Sequence, residues 1–251
     1  MLTPRFSFDS ALDSLGIGMR GLFVTGTDTD VGKTWVAAMI ARELVAAGVS
    51  TGVSKPACSG AVVDGDVPRW PDLDALAAAG GVSDIHSVCS QRFLAPLAPP
   101  VAAREEGRRV DLNAIKSSLL AWSTKADVVI VEGVGGLLCP LTDDETVADF
   151  ADWAGFPLII VARLGLGTIN HSLLTIEAAR QRNLNVAGVI LNDGDNLADT
   201  PAGRTNFDEL ARRLDTSLLG IVNFGARSVS LRDGSTPARI DWSELAAARP
   251  N

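Results

Sequence analysis

Two lysines and a hydroxyl carry the clearest chemistry in this chain. Lys33 and Thr34 close the run GTDTDVGKT at residues 26–34, and Lys55 opens KPACSG at residues 55–60. A glycine-bearing turn presents successive backbone N–H groups, and the positive end of the helix after it adds to them, so clustered phosphates meet fixed donors without side-chain bulk. Asp30, Val31 and Gly32 supply that backbone here. Lys33 adds a mobile charge for terminal phosphates, and the Thr34 hydroxyl suits a Mg²⁺ ion that bridges phosphate oxygens. The loop is unusual in one respect: Gly26 and Gly32 are six apart, so Thr27 occupies the common first-glycine place. The chemistry implied is transfer or cleavage at a nucleotide triphosphate.

Further charged and polar residues stand where strands should end. Lys55 follows an apolar run directly, with Pro56 and Gly60 restricting and then turning the backbone and Ser59 offering a hydroxyl. Glu132 closes DVVIVEG beside Gly133, Gly135 and Gly136, which allow a ligand close to the main chain. An acid that ends a run of β-branched residues faces a buried environment and needs a partner, which favours a metal-side role over a simple turn. Asp72 and Asp74 lie in PDLDAL at a helix start, where a carboxylate is equally a cap. Asn192 and Asp193 end VILND; an asparagine there suits an adenine edge, and a turn is nearly as good a reading. His171, at a helix start, reads as packed or capping, His86 as a surface residue, and Cys58 and Cys139 as small packing residues.

The elements that would position these groups are legible as alternation. Continuous apolar runs at 21–24, 49–54, 128–131, 158–162, 186–191 and 218–222 suit strands buried on both faces. Between them lie helical patterns. One carries Trp35, Val36, Met39, Ile40 and Leu44 and stops at Gly48. Another starts from Asp111 and carries Leu112, Ile115 and Leu119; a third has Asn170 as its expected cap and bears Leu173, Leu174 and Ala178. The fold class implied is α/β, an open, mostly parallel sheet with helices on both faces, of the P-loop NTPase type, with ligands at the carboxyl ends of its strands. Residues 61–72 and 193–205 read as surface loops, residues 226–251 lack clear periodicity, and residues 1–18 read as a leader ahead of a single domain at 19–251, with Met19 an alternative start.

Composition narrows the function classes. The 251 residues are 47% apolar and 21% charged with mean hydropathy +0.21, values of an ordered globular chain. A net charge of −8 without a basic, aromatic-interleaved patch argues against a nucleic-acid partner. No apolar run is long enough to span a membrane. Three cysteines without metal-like spacing favour a reducing, cytoplasmic setting over a disulfide framework.

Taken in order, GTDTDVGKT, KPACSG, PDLDAL, VEGVGGLLCPL, GLGTINHSLLT and VILND resemble the dethiobiotin synthetase family, the ATP-dependent ligases of the biotin pathway, over roughly residues 20–225. The resemblance implies ATP- and Mg²⁺-dependent carboxylation and ring closure of 7,8-diaminononanoate (7,8-diaminopelargonate) with CO₂. The products would be dethiobiotin, ADP and phosphate, formed through a carbamate and a carbamic-phosphoric anhydride. It assigns Lys33 to the β- and γ-phosphates and Lys55 to the carbamate and its anhydride. Thr34, Asp72 and Glu132 match Mg²⁺ positions, and Gly133 and Gly135 belong to the ATP site. Thr29, Asp30 and Ser59 fall near the diamine, and Asn192 and Asp193 match the base-recognition pair. Gly167, Thr168 and Asn170 match a helix start that holds the substrate's remote carboxylate from the other subunit of a homodimer. At GIVNFG, Asn223 replaces the proline common in the family.

Two other readings stay open at this level. One is a nucleotide-driven positioning or partition switch that dimerises over ATP, although its extra loop lysine and a basic amphipathic C-terminal helix are missing. The other is the synthetase half of a glutamine-dependent amidotransferase, for which no cysteine nucleophile with its histidine follows.

Overall fold

A computed structural model describes residues 19–65, 67–232 and 236–247; the expected leader at 1–18 lies outside them, as do parts of 226–251. Among the described residues, one sheet of six parallel strands runs in the order β2 (Thr51–Ser54), β5 (Val128–Glu132), β1 (Arg20–Gly26), β6 (Leu158–Arg163), β7 (Val186–Asn192) and β8 (Leu218–Val222). The expected apolar runs become these strands because both sheet faces are covered, so every second residue meets a different helical layer.

The alternation is clearest in β1. Leu22 and Val24 pack with helices α1 (Lys33–Ala46), α2 (Pro71–Gly80) and α9 (Trp242–Ala247) on one face. Phe23 packs on the other face against α4 (Pro99–Glu105), α5 (Leu112–Leu120) and α6 (Val147–Ala154). A third apolar cluster extends that second face under β6, β7 and β8, where α7 (Thr168–Arg180) and α8 (Pro201–Ala211) contribute Ile176 and Leu210. The short α3 (Ile85–Val88) leads into the segment beside β2. Burial of the four apolar residues of β5 contributes roughly 6–12 kcal/mol gross, enough to carry the acidic Glu132 at its end into the dry interior.

Several sequence expectations need correction. Residues 61–72 hold a short antiparallel hairpin, β3 (Val62–Asp64) with β4 (Val67–Arg69), and the first residues of α2, not a plain loop. Residues 201–205 begin α8, with Thr200 as the cap whose hydroxyl accepts from Gly203 N and Pro201 in the first turn. Asn170 is not a cap: α7 starts from Gly167 in the left-handed conformation, leaving Asn170 exposed inside the first turn, with His171 beside it and equally exposed. The face that α7 buries is Ser172, Thr175, Ile176 and Ala179, while Leu174 points to solvent. Trp35 is half exposed instead of packed in the core, its indole N–H donating to Ala226 O at 2.8 Å. The strand expected from 49 starts at Thr51. Asp111 does cap α5, accepting from Ala114 N at 3.0 Å. In the C-terminal segment, Ser230 bridges to Ile221 and Pro237, and α9 docks on α1 through Trp242 Nε1 donating to Glu43 Oε2 at 2.6 Å. No described helix is long and apolar enough to cross a membrane.

Candidate active site

Three adjacent strand ends build the centre of the site. The ladders align Ser54 with Val131 and Val24 with Glu132, so Lys55, Glu132 and the loop leaving β1 emerge at one level. Lys55 Nζ donates to Glu132 Oε1 at 2.7 Å and to Asp72 Oδ2 at 2.5 Å. Asp72 reaches it because Pro71 starts α2 directly after Trp70, whose indole N–H is fixed on Phe93 O at 3.0 Å. Neither Asp72 nor Asp74 caps that helix, since among the described residues no side chain bonds its N-terminal N–H groups; Asp74 pairs with Arg69 instead.

The Thr34 hydroxyl donates to the same Glu132 Oε1 at 2.8 Å. Glu132 Oε2 is buried with no hydrogen-bond partner among the described residues. A buried carboxylate oxygen left unpaired is costly, and a hard cation relieves the cost. The fit to Mg²⁺ is therefore chemical: two carboxylates and a hydroxyl converge, and Mg²⁺ ordinarily combines one or two carboxylates with phosphate oxygens and water. No group of three His, Cys, Asp or Glu side chains suited to a metal is found among the described residues.

The pKa values of the two lysines are shifted in opposite directions. Burial lowers the Lys33 pKa, and the nearby Lys55 charge pushes the same way, with Glu132, Asp30 and Asp72 opposing. Burial works against the Lys55 charge too, but Glu132 and Asp72 outweigh it and raise its pKa above the ordinary lysine value. The Lys33 ammonium folds back to donate to Asp28 O at 2.8 Å. Burial pushes the Cys58 thiol up to about 12 despite the adjacent Lys55, so it stays protonated at neutral pH.

These groups line a single cleft of about 760 Å³. Its lining takes Thr29, Asp30, Gly32, Lys33 and Thr34 from the loop after β1 and the start of α1, Lys55, Ser59 and Asp72 from the segment after β2 and the start of α2, and Glu132, Gly133 and Gly135 from the end of β5 onward. Gly135 has φ +60°, and a Cβ there would fall 2.9 Å from Cys139 Sγ, so any side chain at this position would be strained and would displace Cys139. Val31, Asn192, Asp193, Gly167, Thr168 and Asn170 do not line this cleft. Asn192 and Asp193 are buried at the end of β7, where Asn192 Nδ2 donates to Val31 O at 3.0 Å and Asp193 accepts from Leu197 N and Ala198 N at 2.5 and 3.2 Å. Thr168 is buried at the start of α7, its hydroxyl without a partner among the described residues, between exposed Gly167 and nearby exposed Asn170.

Some lining residues left no mark in the sequence. Trp70, Pro96, Leu97 and Val62 also line the cleft. Outside the cleft lining, Asp28 receives Lys33 through its carbonyl, a group every residue carries.

Fold and site together define a P-loop nucleotide-binding protein, with the loop between a central parallel strand and the helix after it. Known proteins agree. A family model described as an AAA domain matches residues 20–229. The chain is 47% identical over 196 residues to the ATP-dependent dethiobiotin synthetase BioD of Anaeromyxobacter dehalogenans strain 2CP-C, covering 77% of this chain and 85% of that one. It is 46% identical over 230 residues to the protein of that name from Anaeromyxobacter sp. strain Fw109-5 (91% and 98%), and 37% over 221 residues to that of Nitrosospira multiformis (86% and 95%). The chain belongs to the AAA domain family and to the dethiobiotin synthetase family, ATP-dependent ligases that form C–N bonds. Among solved structures, the signal recognition particle receptor FtsY of Elizabethkingia anophelis matches with a TM-score of 0.50 at 14% identity, over 91% of this chain and 64% of that one, a likeness of fold alone.

Proposed function

We propose that the protein is a dethiobiotin synthetase that joins CO₂ to 7,8-diaminononanoate and closes the ureido ring at the expense of ATP, giving dethiobiotin, ADP and phosphate. The observation that carries this reading is the convergence of Lys33 and Lys55 on one cleft above Thr34, Asp72 and Glu132.

The chemistry divides into three balanced stages. One amine adds to CO₂ and loses a proton, forming a carbamate. A carbamate oxygen attacks the γ-phosphorus and the bond to ADP breaks, giving the mixed carbamic-phosphoric anhydride. The second amine adds to the carbamate carbon, loses a proton and expels phosphate. Each stage places negative charge on oxygen, so fixed positive groups contribute most where that charge grows.

In this reading Lys33 holds the β- and γ-phosphates against the backbone of Asp30, Val31 and Gly32, and Gly133 and Gly135 let phosphate oxygens approach the main chain. Lys55 holds the carbamate and then the anhydride, Ser59 and Thr29 orient the diamine, and Asn192 and Asp193 stand on the base side. Thr34, Asp72 and Glu132 would hold Mg²⁺, which would supply positive charge to offset the negative charge of the phosphates. Glu132, through Oε1, also orients the Thr34 hydroxyl and the Lys55 ammonium.

The working unit in this proposal is a homodimer in the cytoplasm, built from a single domain at 19–251 preceded by a leader at 1–18. Gly167, Thr168 and Asn170 of a second copy would receive the substrate's remote carboxylate at the start of their helix. In support, these residues lie outside the chain's own cleft, and Leu138, Leu166 and Leu174 are exposed apolar side chains. Incubating the purified protein with diaminononanoate, bicarbonate, Mg²⁺ and ATP tests the reading: the ureido product appears by mass. ATP hydrolysis without that product overturns it.

A further inference from the structure

Asn192 lies far from the phosphate loop in sequence and beside it in space. It ends β7, two strands from β1, and its backbone is locked: its carbonyl accepts from Leu164 N at 2.8 Å, and the next residue donates its N–H to Val222 O at 2.8 Å. The side chain is 7% exposed, and its amide donates to Val31 O at 3.0 Å across 161 residues. The fit is tight, because a Cβ on Gly32 would sit 2.1 Å from Asn192 Nδ2. Its neighbour Asp193 has both carboxylate oxygens turned onto Leu197 N and Ala198 N.

The Val31 carbonyl and the Gly32 N–H belong to one planar trans peptide, in which C=O and N–H point in opposite directions. Holding the carbonyl from behind therefore aims the Gly32 N–H away from Asn192, toward the cleft that Gly32 lines. We infer that Asn192 is a positioning residue for the phosphate loop: by fixing the Val31–Gly32 peptide it sets phosphate affinity whatever base the ligand carries. The inference rests on the nucleotide-binding part of the proposed function and deepens it, since it gives Asn192 a task that base recognition alone does not include.

The test compares magnesium complexes of ATP, GTP and base-free tripolyphosphate by isothermal titration, using wild-type protein, Asn192→Ala and Asn192→Asp, the last keeping the shape without the donor. Loss of one buried donor predicts affinities weaker by about tenfold for all three ligands in both variants, with the ratios among ligands kept. Loss for ATP alone, with tripolyphosphate binding unchanged, overturns the inference and leaves Asn192 a base contact. Affinity losses that follow the drop in urea midpoint between the variants also overturn it. If the variants do not fold, wild-type crystals with magnesium tripolyphosphate and with MgATP decide: Nδ2 retained on Val31 O in both supports the role, and a side chain turned away refutes it. Wild-type protein that binds none of the three ligands would sink the nucleotide-binding reading itself, an outcome distinct from a loss confined to the variants.

Discussion

The ammonium of Lys55 lies 2.7 Å from Glu132 Oε1, with both side chains almost wholly withdrawn from solvent at 5% and 1% exposure. A buried pair of this kind is held together less by its own attraction than by the cost of breaking it, since a lone buried charge is destabilising by about 3–5 kcal/mol. Asp72, half exposed, shares the same ammonium and links the pair to the cleft surface.

Replacing Lys55 separates its structural and chemical tasks. Lys55→Ala should keep ATP binding, because the loop backbone and Lys33 remain, and should lose at least about 100-fold in turnover, as for removal of a fixed charge from a developing anion. Parallel measurement of kcat and of the ATP dissociation constant checks this. Near-normal turnover removes Lys55 from the mechanism.

The two carboxylates should differ in how strongly they shape the metal requirement. Both Asp72→Asn and Glu132→Gln are expected to raise the Mg²⁺ concentration for half-maximal activity, Glu132→Gln more so because Glu132 is buried and touches Thr34 as well. Superimposable Mg²⁺ titrations for wild type and variants would return these acids to structural roles.

Gly32 should tolerate no side chain. Its φ of +93° is unfavourable for any L residue, at roughly 1–3 kcal/mol, and its Cβ would strike the Asn192 amide. Gly32→Ala is expected to weaken MgATP binding at least about tenfold, since strain and clash both tilt the Val31–Gly32 peptide. Wild-type affinity in this variant would show that the loop rearranges freely.

Alkaline titration should separate the lysines. Lys55 has a raised pKa, so its contribution to stability is complete below the unfolded value of 10.5 and is lost only as pH climbs through the higher folded value. Lys33 is lowered: its charged form costs the folded state at lower pH, and its proton leaves before pH reaches 10.5. The expected result is an ATP affinity that declines with rising pH while the Lys55 ion pair is still intact, with the decline absent in Lys33→Met. Parallel ATP titrations and urea midpoints between pH 8 and 10.5 measure both; an affinity flat over that range in the wild type counts against the Lys33 assignment.

A shared site predicts complementation. Mixing an Asn170 variant with a Lys55 variant should restore part of the activity, because one of the two sites in each mixed dimer is intact. Verified heterodimers with no recovery would place the whole site within one chain.

How far the residues announced the structure varied with the kind of interaction. The four-residue apolar run before Glu132 and the helix after Gly32 were legible because burial on both sheet faces leaves a composition signal. The hairpin at 62–69 was not, since its valines are exposed and its strands short. The start of α7 was misread at Asn170 because Gly167 enters the helix by backbone conformation without a capping side chain. Within the cleft, Lys33, Thr34, Lys55 and Glu132 stood out by type and place. Asn192 stood out too, as a base contact, but its hold on Val31 O and the Asp28 carbonyl that receives Lys33 were not legible, because a backbone acceptor has no residue-type signature and a contact spanning 161 residues has no periodicity.

That long span bears on biogenesis. The phosphate loop leaves the ribosome early, yet the amide behind its Val31 carbonyl belongs to a strand made 161 residues later. At synthesis rates of roughly 5–20 residues per second, the nascent loop spends about 8–30 seconds without that tether, so full capacity to grip a triphosphate is acquired only once most of the polypeptide has been made.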